Sequence, residues 1–172
     1  MLNREKIASA EIFKGLSQEE LEDIVKLFEE LILNDGDRIL TEGERADHLF
    51  ILETGSVDLR FELPYRETSK EMTVTTIEPG ECFGWSALIP PHKATLSCYS
   101  TGKSTVIKIP AIQLLNLCHM NNHIGFLLMQ RIATLLIHIH LIYIRSTKRR
   151  CPCVNCVLDL GIARDGIYHE LA

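Results

Sequence analysis

The feature that most restricts this chain is a row of short apolar runs between Gly36 and Pro110, each closed off by glycine, proline or aspartate. The runs cover residues 38–41, 48–53, 56–62, 71–77, 94–100 and 104–109. Short strands at close intervals with turn residues between them are the pattern of an antiparallel sandwich or barrel. Gly36, Gly43, Gly55, Gly80, Gly84 and Gly102 fall at the expected turns. The polar stretch 65–70, after Pro64, reads as an exposed hairpin tip with no chemistry of its own.

Helical signals flank this region. After an apolar opening turn at 7–13, Ser17-Gln18-Glu19-Glu20 fits a capping box, because Ser17 accepts from the amide of Glu20 while the Glu20 side chain reaches back. Leu21, Ile24, Val25 and Phe28 then follow at i, i+3, i+4 and i+7, which predicts a helix to about Leu31, stopped by Asn34-Asp35-Gly36-Asp37. On the far side, Pro110 is suited to a first helical position, and Asn121-Asn122 caps a longer helix over about 122–146. Leu128, Ile132, Leu135, Ile139 and Ile142 alternate spacings of four and three along it, an a/d seam that predicts a homodimer. The competing use of that seam is packing on the chain's own β-domain.

The chain carries 46% hydrophobic residues and a formal charge of −5, enough apolar side chain for one compact core and too acidic a balance for a surface built mainly to hold nucleic acid. No apolar signal segment follows the first residues, so a cytoplasmic location is expected. Residues 126–144 are long enough for a bilayer but contain Gln130, Arg131, His138 and His140, so no membrane partner is expected. No nucleophile triad, carboxylate pair or phosphate loop stands at a workable spacing, and the chain reads as a binding protein, not an enzyme. Cys82, Cys98 and Cys118 read as small buried hydrophobes. Cys151, Cys153 and Cys156 pack three thiols into six residues of the tail, 147–172, and are candidate ligands for a soft metal or partners in thiol exchange. A mobile tail with no metal is the plainer reading.

Gly36-Asp37-Arg38-Ile39 with Glu42-Gly43, then Ala46 to Leu52, Gly55-Ser56-Val57 and Pro79-Gly80-Glu81-Cys82-Phe83-Gly84, resemble in order and spacing the cyclic-nucleotide-binding domain family and the sensor half of bacterial Crp/Fnr regulators. The resemblance covers residues 7 to about 146, a single sensor domain taken as 1–146. It implies an α+β fold: a cyclic-nucleotide-binding-type β jelly roll with N-terminal helices, a phosphate-binding cassette after Phe83-Gly84 and a long C-terminal dimerisation helix. The ligand-binding residues it implies are Phe83, Gly84, Trp85, Ser86, Ala87, Leu88, His92, Lys93, Ala94 and Thr95. The family's glutamate acceptor for the ribose hydroxyl is replaced by Trp85, whose indole only donates, and its phosphate-clamping arginine falls at His92, beside Lys93. The hydroxyl residues that read adenine in the catabolite activators fall at Leu135 and Leu136.

These departures keep the fold and leave the ligand as a nucleotide or another small anion, with cyclic AMP expected to bind weakly. The 22 residues after Arg150 are too few for the family's winged helix-turn-helix, so sequence-specific DNA binding by this chain is not expected. The function expected is a homodimeric ligand sensor acting on a regulatory protein partner. The alternatives are a ligand-free interaction module of the same fold, with Trp85 filling the pocket, and a thiol or metal sensor working through the tail.

Overall fold

The computed structural model describes residues 10–62 and 72–150, with side chains along the last helix as far as Ile137. A 3₁₀ turn, Glu11–Phe13, leads into α1, Gln18–Val25. The eight strands are β1 Glu29–Leu33, β2 Arg38–Leu40, β3 His48–Thr54, β4 Val57–Arg60, β5 Thr73–Ile77, β6 Cys82–Phe83, β7 Ser97–Ser100 and β8 Ser104–Pro110. Two helices, α2 Ala111–Met120 and α3 Asn122–Arg150, complete the order.

All strand pairings are antiparallel, in two four-stranded sheets ordered β1-β8-β3-β6 and β2-β7-β4-β5. This is the jelly roll that the spacing of turn residues predicts. The six glycines placed at turns all have positive φ, a conformation that costs other residues a Cβ clash. In the first sheet β3 and β8 are central, and Leu49, Ile51, Leu52, Val106, Ile107 and Ile109 are fully buried. Each such side chain contributes about 1.5–3 kcal/mol through burial.

The capping box forms as expected. Ser17 Oγ accepts from the Glu20 amide at 3.3 Å, and Glu20 Oε2 accepts from the Ser17 amide at 2.9 Å. The helix it opens is shorter than its apolar spacing predicts, because α1 ends at Val25 and residues 29–33 are β1. Phe28 does not continue the helical stripe; it stacks on Phe13 with ring centroids 6.1 Å apart. From there β1 supplies a partner for the edge of β8, with Glu29 opposite Lys108 and their side chains paired at 2.8 Å. Sheet pairing overrides helix periodicity here, since an unpaired β8 edge would leave a row of backbone groups unsatisfied. Pro110 likewise is not the first helical residue: it ends β8 and caps α2.

The chain divides into two units, residues 1–135 and 136–172. In the first, the start of α3 is tied to the N-terminal segment through Glu20, which accepts from Asn121 Nδ2 at 2.9 Å and pairs with His123 Nδ1 at 2.8 Å. The hydrogen bonds from Ser17 and His123 hold the Glu20 carboxyl down at about 2. Asn121 also caps α3, its side-chain oxygen accepting from the His123 amide at 3.0 Å. In the second unit, the described residues are the distal part of α3, where Leu136 and Ile137 are exposed. Among the described residues, no helix is long and apolar enough to cross a membrane.

Candidate functional site

The cassette begins where β6 leaves the first sheet. Phe83 pairs with Phe50 of β3, and the two rings stack with centroids 5.1 Å apart. Gly84 then turns the chain in the left-handed region at φ +76, close enough to β3 that a Cβ would lie 2.9 Å from the His48 carbonyl oxygen. Residues Trp85–Leu88 form one 3₁₀ turn, with the Ala87 amide donating to the Gly84 carbonyl at 3.0 Å. The path continues through a cis Pro90–Pro91 peptide to His92, which has φ +59.

The return strand of the cassette is clasped by residues 43–46. The Ala46 amide donates to the His92 carbonyl at 2.8 Å, the Ala94 amide to the Glu44 carbonyl at 2.9 Å, and the Gly43 amide to the Ala94 carbonyl at 2.8 Å. Arg45 stands opposite Lys93 in this ladder. Residues 94–96, expected within a strand, are therefore the return of the cassette, and β7 begins only at Ser97.

Side chains of the ten expected site residues divide by burial. Phe83, Trp85, Ala87, Leu88 and Ala94 are buried and form the scaffold. Ser86 and His92 are half-buried, and Lys93 and Thr95 are exposed. Trp85 is only 6% exposed, so its ring is part of the packing and not an open platform for a base. His92 is turned inward, with Nδ1 2.9 Å from the Ala87 carbonyl oxygen. No guanidinium replaces the missing phosphate clamp within the loop; its polar rim is Ser86, His92, Lys93 and Thr95.

A second polar group was not singled out from the sequence. On one face of the second sheet Arg60 pairs with Asp58 at 2.7 Å and lies over the Tyr99 ring, 4.9 Å from its centroid. Thr76 and Thr73 hydroxyls donate to Asp58 at 2.9 and 3.3 Å. Burial acts to raise the Asp58 carboxyl, and the hydrogen bonds from Arg60, Thr76 and Thr73 outweigh it, leaving the group below its usual range. Beside it Glu62 accepts from Ser97 at 2.6 Å and Tyr99 at 3.1 Å. The Ser97 bond leads in holding its carboxyl low. The signal for this face is the strict alternation Val57-Asp58-Leu59-Arg60-Phe61-Glu62. The Asp58 and Glu62 hydrogen bonds link β4, β5 and β7, while Arg60 Nε is buried without a hydrogen-bond partner.

The seam residues do not lie together on an open face. Leu128 and Ile132 are 1% and 2% exposed within the single chain. The first half of the stripe is thus packed on the chain's own domain and is not free for a second copy. Leu135 is half-buried, while Phe126 is 66% exposed. The Ile139 and Ile142 side chains, residues 65–70 and the tail cysteines Cys151, Cys153 and Cys156 lie outside the described residues. Among the described residues no cluster of three or more His, Cys, Asp or Glu side chains is placed to hold a metal. Cys82 and Cys98 are buried, and burial pushes both thiols up to about 12.

A family model for the cyclic nucleotide-binding domain matches residues 30–121, from β1 through the end of α2. The chain belongs to that family. The chain superposes with a TM-score of 0.69 and 30% identity on a Geobacter metallireducens protein described as a cyclic nucleotide-binding protein, over 80% of this chain and 98% of that one. The catabolite activator protein of Thermus thermophilus shares the fold, with a TM-score of 0.64, 21% identity, and coverage of 76% of this chain and 60% of that one. The Drosophila melanogaster cAMP-dependent protein kinase type II regulatory subunit is 26% identical over 98 residues, which are 57% of this chain and 25% of the relative. The chain spans a quarter or less of the length of the curated relatives it matches. The family's fold is a regulatory, ligand-sensing one, and the resemblance expected from the glycine-bearing blocks holds.

Proposed function

We propose that this chain is a cytoplasmic, non-catalytic sensor domain whose cassette takes a small anionic ligand or nucleotide and which acts on a regulatory partner as a homodimer. The observation that carries the reading is the cassette backbone. Gly84 is left-handed and pressed on β3, and the loop is clasped by residues 43–46. A path held this firmly presents Ser86, His92, Lys93 and Thr95 on one loop while Trp85, Ala87, Leu88 and Ala94 are buried. The rim offers hydroxyls, an imidazole and one ammonium in place of a bidentate fork, which favours a small anion over tight capture of a cyclic nucleotide.

A second reading, a ligand-free interaction module, is favoured by the burial of Trp85 at the position of the family's ribose acceptor. A differential thermal melt against cyclic AMP, cyclic GMP, other nucleotides and small anions separates the two, because a ligand that binds only the folded chain raises the melting temperature by mass action. A concentration-dependent rise with any of these supports the sensor. A flat response to all of them, with a dimer retained, supports the module. With Leu128 and Ile132 buried within one chain, the proposed dimer contact rests on exposed Phe126.

A further inference from the structure

We propose that the outer edge of β1 pairs with the same edge of a second copy of this chain, antiparallel, joining their first sheets into one. This surface is separate from both the cassette and α3. Strand β1 lies at the end of its sheet with β8 on one side, and no backbone hydrogen bond reaches its other side among the described residues. Every second amide and carbonyl of the strand therefore points outward, a template for another strand. The other three sheet edges are blunted. Strand β6 is two residues long, and the ladders of β2 and β5 each carry a register shift of the kind that ends or re-aims an edge. Strand β1 is paired over all five of its residues without a shift. It also carries Ile32, which is 59% exposed.

Charge selects the occupant and its direction. The chain has a formal charge of −5, so two copies can meet closely only where their carboxylates stay apart. In Glu29-Glu30-Leu31-Ile32-Leu33 the acids stand at one end and the aliphatic residues at the other. A parallel pair would stack glutamate on glutamate. A two-fold antiparallel pair centred on Leu31 sets Leu31 against its own symmetry mate, Ile32 against the second copy's Glu30, and Glu29 against the second copy's Leu33. Ile32 and Glu30 share one face of the strand, so the two Ile32 side chains become diagonal neighbours and cover one another. Glu29 is already answered by Lys108 at 2.8 Å, which leaves Glu30 at the rim in water. Apolar centre and charged rim are the anatomy of a protein interface.

Sedimentation equilibrium of the whole chain from about 10 μM to about 1 mM tests the proposal, because one short strand pair buries less than a standard interface and holds weakly. The average mass of wild type should at least double across that range, whichever species the α3 contact leaves at the dilute end. Phe126→Glu, which lacks that contact, should pass from one copy to two and stop there. Ile32→Glu crowds four carboxylates onto one face of the pair and should weaken association about tenfold or more. Adding Glu30→Lys to Ile32→Glu should restore it, since positions 30 and 32 then carry opposite charges across the pair. Glu78→Lys added to Ile32→Glu is the control of equal net charge, on the turn before β6, and should restore nothing. Far-UV circular dichroism confirms that each variant is folded. A wild-type mass that stays constant over the range overturns the proposal and leaves the sensor reading and the α3 contact standing. Association that survives Ile32→Glu, or that Glu78→Lys restores as well as Glu30→Lys does, also overturns it. A dilute wild-type monomer that still doubles supports the β1 contact and removes the α3 one.

Discussion

Replacing Gly84 by alanine tests whether close approach to β3 fixes the cassette, and Gly43→Ala is its internal control. Both glycines sit in the left-handed region, at φ +76 and φ +80, where an L-residue costs about 1–2 kcal/mol. They differ in surroundings. A Cβ on Gly43 meets nothing within 4 Å. One on Gly84 lies 2.9 Å from the His48 carbonyl oxygen and 3.0 Å from Phe50 Cδ2. The first neighbour is backbone of a central strand, and the second is a ring held between Phe83 and His48. Neither can swing away, so the overpacking adds about 1–3 kcal/mol. Gly84→Ala should therefore lose about 2–5 kcal/mol and Gly43→Ala about 1–2 kcal/mol, read from urea unfolding followed by far-UV circular dichroism with unchanged slopes. Equal losses in the two variants would refute the argument, because the close neighbours of Gly84, above all on β3, are what distinguish the two sites.

Glu20→Gln should weaken the tie between the N-terminal segment and α3. The folded carboxyl sits at about 2, below the ordinary 4.5, so its contribution is complete above the ordinary value and disappears as the pH falls through about 2. Acid titration of stability should accordingly be shallower in Glu20→Gln than in wild type across that window. Leu128→Ala should cost about 2–5 kcal/mol of folding stability without changing the oligomeric state measured by light scattering, because Leu128 is buried within one chain. Phe126→Glu should leave folding intact and yield a monomer; a dimer that persists places the contact elsewhere. Cys82 and Cys98 should resist alkylation in the folded protein at mildly alkaline pH, as peptide mapping would show, since burial holds both thiols protonated.

The turns and the N-terminal cap were legible because each is decided locally: a glycine supplies the positive φ, and Ser17 with Glu20 supplies reciprocal hydrogen bonds within one helical turn. Strand β1 was not, since Leu21, Ile24, Val25 and Phe28 continue a helical period while the edge that β1 completes comes from β8, far along the chain. Two-residue β6 is too short for any period to show. At the site, the backbone route was readable from Phe83-Gly84 and the prolines, but the inward turn of His92 was not, because a left-handed histidine leaves no mark in the sequence. The stripe through Leu128 and Ile132 was read as a seam between copies for a related reason: periodicity says that a face is covered and is silent on what covers it.

Trp85 is the only tryptophan in the chain, and it is packed inside the cassette turn. Its indole emission therefore originates from one loop, against a background of four tyrosines that selective excitation leaves dark. Any event that loosens the clasp or admits water beside residues 85–88 should shift that emission to the red, and any ligand that tightens them should shift it to the blue. The fold thus carries its own unlabelled optical reporter at the place where binding is proposed, and stopped-flow mixing could time the response of the loop without altering a residue.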